Sequence, residues 1–151
     1  MKKKDWGNAV WLLFHTLAEK IKPEFQSELP ILVSHIVSIC KNLPCPDCQQ
    51  HATKTMLQTN LAVITASKEA LIHFLWTFHN DVNKRTKMPT YPKESLDKYK
   101  LAKTGPVVTN FVNIMRATSN NEKTMLFGFH RSLYIKKFID YMNANISKYN
   151  V

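Results

Sequence analysis

Apolar residues return along this chain at helical spacing. Over residues 6–21 the pairs Ala9-Val10, Leu13-Phe14 and Leu17-Ala18, followed by Ile21, predict an amphipathic helix with Asp5 as its N-cap. Pro23 and the polar residues up to Glu28 break the pattern. Pro30, favoured in a first helical turn, restarts it as a second helix over 30–42 that buries Leu32, Ile36 and Ile39. The stretch Leu43-Pro44-Cys45-Pro46-Asp47-Cys48 interrupts the period and releases into a third helix that begins near Cys45 and runs to Leu57. Ser67 caps a fourth through Ala70, Leu71, Phe74, Leu75, Phe78 and Val82, which ends before Pro89.

Beyond that point the chain is polar to Gly105 and carries Pro89 and Pro92, with Pro106 just after, which predicts an irregular segment with a short helix over 94–101. Two further helices follow, over 107–117 and 133–146, the second with Tyr134, Ile135, Phe138, Ile139, Tyr141 and Met142 on a broad apolar face. Residues 118–122 read as a polar link, and the apolar run 125–129 is too short to assign by period.

Composition narrows the classes. A chain of 151 residues is enough for one hydrophobic core, and 44% hydrophobic against 21% charged residues excludes disorder by composition. Only 3 glycines argue against a turn-rich all-β sandwich and against a Gly-rich phosphate loop. The formal charge of +10 suits nucleic acid, an anionic cofactor or an acidic partner, and a solvated basic surface accounts for it equally simply. After the basic N-terminus, the apolar run Val10 to Phe14 is too short for a secretory signal, and no stretch approaches membrane-spanning length. A cytoplasmic location, without nucleic acid or membrane as partner, is the expectation.

Three features carry possible chemistry. Cys45 and Cys48, two residues apart at a helix start, can close a small disulfide ring where the helix dipole favours thiolate. The same pair with Cys40 and His51 could instead supply three sulfurs and a nitrogen to tetrahedral zinc in a small basic binding module, or both thiols could be buried and inert. On the fourth helix Trp76, His79, Asn80 and Asn83 share one face, which is either a solvated edge or a platform for a planar polar ligand. On the first, Gly7, Trp11 and His15 share another, where Gly allows close approach and Trp and His can meet a flat ring. Taken singly, Trp11 and His15 also read as ordinary core residues.

Gly7-Asn8-Ala9-Val10-Trp11-Leu12-Leu13-Phe14-His15, Cys45-Pro46-Asp47-Cys48 and Trp76-Thr77-Phe78-His79-Asn80-Asp81-Val82-Asn83 occur in an order that resembles the Erv/ALR family of FAD-dependent sulfhydryl oxidases. The resemblance covers residues 6–100 and implies an all-α fold, a four-helix bundle that holds FAD with a short fifth helix closing the site. Residues 1–104 would form that oxidase domain and 105–151 a helical C-terminal extension packed on or beside it. It further implies Trp11 and His15, with Gly7, at the flavin, and Trp76, His79, Asn80 and Asn83 on the nucleotide side. Lys84, Arg85 and Lys87 would meet the pyrophosphate, and Tyr99 a ring. No metal site is expected.

The activity implied is oxidation of a dithiol protein, or of a thioredoxin-like relay, by the Cys45-Cys48 disulfide, with electrons passing through FAD to O₂ to give hydrogen peroxide. A homodimer through the first two helices is also implied, and viral members would act in the host cytoplasm or virion. Two positions depart from the family pattern, Leu43 where an aromatic stands and Met88 where a Lys is frequent. The structural and shuttle cysteine pairs of the cellular branches have no counterpart here.

Overall fold

A computed structural model describes residues 2–120 and 125–151. The fold is all-α. The elements are α1 (Lys3–Lys20), a 3-10 segment (Pro23–Glu28), α2 (Leu29–Lys41), α3 (Pro46–Gln58), α4 (Leu61–Ile64) and α5 (Lys68–Arg85). A second 3-10 segment (Lys93–Asp97), α6 (Lys98–Leu101), α7 (Thr104–Asn120), α8 (Met125–Asn145) and a last 3-10 turn (Ile146–Lys148) complete the order.

α1 is the centre of the bundle. Its apolar pairs cover so wide an arc that one neighbour cannot bury them, and it packs against α5, α6 and, most extensively, α7. α2 lies against α3 and also meets α8. Residues of the C-terminal segment, among them Phe111, Met115, Ile135, Phe138 and Met142, belong to the same buried cluster as Leu13, Phe14, Leu17 and Leu75. The segment after Gly105 therefore completes the core that α1 begins.

Polar ties fix that segment at one end of the molecule. Ile21 and Tyr149 form an isolated antiparallel bridge, with Lys22 N–H donating to Lys148 C=O at 2.9 Å and Asn150 N–H to Lys20 C=O at 2.7 Å. The buried Glu28 carboxylate accepts from Tyr141 Oη at 3.1 Å and pairs with Lys148 Nζ at 3.0 Å. A buried carboxylate needs such partners, and both come from the chain's last quarter.

Several boundaries differ from the sequence expectation. α1 starts before Asp5, which stands as the acidic residue of its first turn while Lys2 is the N-cap. Ser67 does cap α5, its hydroxyl accepting from Ala70 N–H at 3.0 Å. α4, capped by Asn60, was not read from the sequence. α7 begins at Thr104 and takes Gly105 and Pro106 into its first turn, where proline's missing N–H costs nothing. Residues 118–120, read as link, continue α7; residues 121 and 122 lie outside the described residues. The run 125–129 is the start of α8.

Phe111 and Phe138 are both 0% exposed and meet edge to face at 5.4 Å between ring centroids. Phe111→Ala removes the ring that joins α7 to α8 and is expected to cost about 3–5 kcal/mol, the usual range for emptying such a site. Urea unfolding of the variant beside the wild type measures it.

Candidate active site at the α1–α3–α5 junction

The cysteine turn is built by local rules. Pro46 enters α3 at its first turn, leaving Cys45 as an extended N-cap whose Sγ accepts from Cys48 N–H at 3.2 Å. The two sulfurs are 2.6 Å apart, so the pair stands poised to close a disulfide. Cys45 is half-buried, whereas Cys48 is 9% exposed. Burial, and then the hydrogen bond that its thiol donates to Cys45 Sγ, push Cys48 up to about 11, with Lys3 at the start of α1 pulling the other way.

The carbonyls ahead of the turn are held from two sides. Gln49 Nε2 donates to Leu43 C=O at 2.6 Å, and Arg131 of α8 donates to Asn42 C=O at 2.7 Å and to Leu43 C=O at 3.3 Å. Arg131 is 2% exposed. Nothing local to residue 131 announces this role, because its partners lie almost ninety residues earlier in the chain.

Cys48 faces a narrow cavity of about 80 Å³ that is also lined by Gly7, Trp11, Phe78, Val82 and Arg85. A Cβ built on Gly7 would meet no atom within 4 Å, so that side of the cavity is open space. Trp11 also borders a second, open cleft of about 490 Å³ with His79, Tyr91, Lys98 and Tyr99. Trp11, which lines both, belongs to an aromatic stack. Trp11 lies on His79 at 4.2 Å and 8°, and His15 lies on Tyr99 at 4.6 Å and 21°.

His15 Nε2 and His79 Nδ1 share a hydrogen bond of 2.9 Å, one ring donating and the other accepting. Burial, then the His79 and Lys98 charges, lower His15 to about 3. Burial and then Lys98 lower His79 to about 4. Both imidazoles are thus neutral at physiological pH.

The other candidates divide. Asn83 is 8% exposed and its Nδ2 has no hydrogen-bond partner among the described residues, an expensive condition for a buried donor. Trp76 Nε1 and Asn80 Nδ2 both donate to Tyr91 C=O, and Asn80 Oδ1 accepts from Tyr91 N–H at 2.9 Å. These two residues latch the loop that carries Tyr91 onto α5. Arg85 pairs with Asp47 at 2.8 Å, tying α5 to the cysteine turn, and Lys84 is exposed. Lys87 takes φ 60° just past the end of α5, where Lys87 N–H donates to Lys84 C=O and Met88 N–H to Asn83 C=O, so its backbone serves as the helix stop. Tyr91, Lys98, Lys3 and Arg131 were not singled out in the sequence. The first two could have been flagged as an aromatic and a cation in the proline-bounded segment after α5.

The zinc arrangement is not formed. Among the described residues no group of three or more His, Cys, Asp or Glu side chains converges on a point that could hold a metal ion. Burial pushes the Cys40 thiol up to about 12, so it is a buried thiol of the core.

With this geometry in view, the sequence model of the Erv1 / Alr family matches residues 8–102, from α1 to the residue after α6. The chain belongs to the Erv1 / Alr family. It is 34% identical over 88 residues to a protein of Invertebrate iridescent virus 3 named as a FAD-linked sulfhydryl oxidase, covering 57% of this chain and 59% of that protein. A similarly named Fowlpox virus protein is 28% identical over 61 residues, 40% of this chain and 61% of that one. The Arabidopsis thaliana protein FAD-linked sulfhydryl oxidase ERV1 is 33% identical over 98 residues, 63% and 49% respectively. The match thus spans less than two thirds of each relative's length. No solved structure is a significant match. α7 and α8 lie beyond the family match, and no helix among the described residues is long and apolar enough to cross a membrane.

The neutral histidines set a pH dependence. The unfolded chain binds protons at both below the ordinary value of 6.5, while the folded chain does so only near 4 and 3, so unfolding takes up protons in that window. Their contribution is complete above 6.5 and falls as pH drops through it toward 4 and 3. Melting temperatures of the wild type and His79→Gln across this range check it, the variant's decline being the shallower.

Proposed function

We propose that this chain is a FAD-linked sulfhydryl oxidase that forms disulfide bonds in protein dithiols, with Cys45 and Cys48 as the redox pair. The observation that carries this reading is Cys48 facing the Trp11 and Phe78 cavity while its partner sulfur, 2.6 Å away, belongs to a more exposed residue. A substrate thiolate attacks Cys45 Sγ of the oxidised pair. The bond to Cys48 breaks, a mixed disulfide forms, and Cys48 leaves as a thiolate. A second substrate thiolate attacks the substrate sulfur and releases Cys45, so the substrate loses two electrons and two protons, and the pair gains the electrons. Attack at Cys48 is disfavoured by its burial.

FAD fits the residues present by their chemistry. The cavity offers flat aromatic walls, the adjoining cleft offers Tyr91 and Tyr99, α5 carries the unpartnered Asn83 amide, and Arg85, Lys84 and Lys98 offer positive charge for a dinucleotide. Gly7, Trp11, His15, His79, Asn83 and Tyr99 would hold it, with Trp76 and Asn80 acting through Tyr91. A flavin ring needs more room than about 80 Å³, so the cavity would have to widen to hold one. Bound FAD supplies a two-electron acceptor beside Cys48 that O₂ can reoxidise, giving hydrogen peroxide. The substrate is a dithiol protein or a thioredoxin-like relay. A homodimer through the first two helices meets α7 along α1 and α8 beside α2, so a second copy would dock outside those covered faces.

Cys45→Ser and Cys48→Ser are each expected to abolish oxygen consumption with dithiothreitol, and iodoacetamide should modify Cys45 of the reduced wild type about tenfold faster than Cys48. Activity surviving in either variant would overturn the assignment. Asn83→Leu separates a ligand-holding role from a packing one. It removes a buried unpaired donor, so the cofactor-free protein should melt no lower, and higher if the leucine packs well. FAD retention should meanwhile weaken by about 1–3 kcal/mol, roughly tenfold to a hundredfold. Thermal melts with and without added FAD measure both effects.

A further inference from the structure

Two open clefts border the Cys45–Cys48 turn. One, of about 700 Å³, runs along α3 past Pro46, Lys54 and Leu57. The other, of about 440 Å³, lies between α2 and α8 and is lined by Asn42, Leu133 and Lys137. Lys41 and Gln49 line both, so the clefts meet beside the cysteine turn and together form one furrow across it.

The furrow is electrostatically one-sided. Lys41, Lys54 and Lys137 are exposed, and none has an ion-pair partner among the described residues. Among the described residues the sole carboxylate lining either cleft is Asp47, which is paired with Arg85. Leu57 at 73% and Leu133 at 46% exposure add an apolar foothold on each side. The α8 wall is held in register with the redox turn, because Arg131 of that helix binds the Asn42 and Leu43 carbonyls just ahead of Cys45.

We infer that this furrow is the docking surface for the substrate protein, and that it takes an extended acidic segment flanking the thiol to be oxidised. The inference rests on the thiol-oxidase reading above and gives it a substrate class. Unpaired lysines along both arms of the furrow, beside the turn that carries the attacked sulfur, attract carboxylates flanking the substrate cysteine, while the leucines take apolar side chains between them. The α8 wall lies beyond the family match, so Lys137 and Leu133 are what this chain's own C-terminal helix adds to the furrow.

The test uses the full-length flavin-loaded protein and two synthetic dithiol peptides with one core, flanked in one case by glutamates and in the other by lysines. Turnover of dithiothreitol, a neutral dithiol without flanks, reports the redox chemistry and normalises each variant. The wild type should prefer the glutamate peptide in kcat/KM by about tenfold at low salt, and the preference should shrink toward unity at about 0.5 M salt. Lys41→Glu/Lys137→Glu should erase or invert it, and Lys137→Glu alone should weaken it. Equal rates for both peptides with dithiothreitol turnover intact would overturn the docking furrow alone. Equal rates accompanied by inhibition with a single-stranded DNA oligonucleotide would overturn it in favour of nucleic acid. Absence of dithiothreitol turnover in the wild type would bring down the oxidase reading and the furrow with it.

Discussion

The architecture depends on the burial of α1 on more than one side. Its residues from Trp6 to Ala18 include nine buried positions, and Leu13, Phe14, Leu17 and Ala18 are at most 1% exposed. A helix with so wide an apolar arc must be enclosed, and two of the enclosing helices bring side chains to the site. α5 brings His79, Asn83 and Arg85, and α6 brings Tyr99 onto His15. α7 brings no candidate chemistry, but it closes the remaining side and carries α8 into contact with α2. The site is thus a by-product of covering one helix from several directions.

The interior and the exterior obey opposite electrostatic rules. The chain carries +10, yet the groups deepest in the site are neutral, because burial lowers His15 and His79 and raises Cys48. Arg131 is the exception, a cation 2% exposed at the end of α2. There it meets carbonyls with no intrahelical donor, and the negative end of the helix dipole favours a positive charge. One buried guanidinium from α8 thereby stiffens the turn that orients both sulfurs.

Much of the fold was legible because its signals are local. The period of the apolar pairs, Ser67 as a cap and the proline-flanked cysteines each specify structure within a few residues. The start of α7 was misread because Gly105 and Pro106 were read as punctuation although proline fits a first helical turn. In the site, Trp11 and His15 share the face of α1 that their spacing suggested, and the fold sets His79 of α5 against both. Trp76 and Asn80 could not be told from ligand contacts, because their partner is the backbone of a loop residue eleven and fifteen positions away. Lys3 and Arg131 were illegible in principle, since only the folded chain brings an N-terminal lysine and a C-terminal arginine to the same cysteine turn.

The unequal roles proposed for the two cysteines rest on one geometric fact. Cys45 is outside the helix as its N-cap, and Cys48 is inside its first turn, so the sulfur that caps α3 is also the one nearer solvent. A substrate bonded to Cys45 leaves the helix backbone undisturbed, whereas a bond to Cys48 would carry a foreign chain into the cavity that Trp11 and Phe78 enclose. Burial penalises the Cys48 thiolate that the exchange produces, while the helix N-terminus and Lys3 offset part of that penalty. A thiolate formed there is therefore a high-energy donor, held where an electron acceptor in the cavity would meet it and where a substrate disulfide would not. On the proposed function, electrons would flow inward from the surface sulfur to the buried one, a direction set by which cysteine begins the helix.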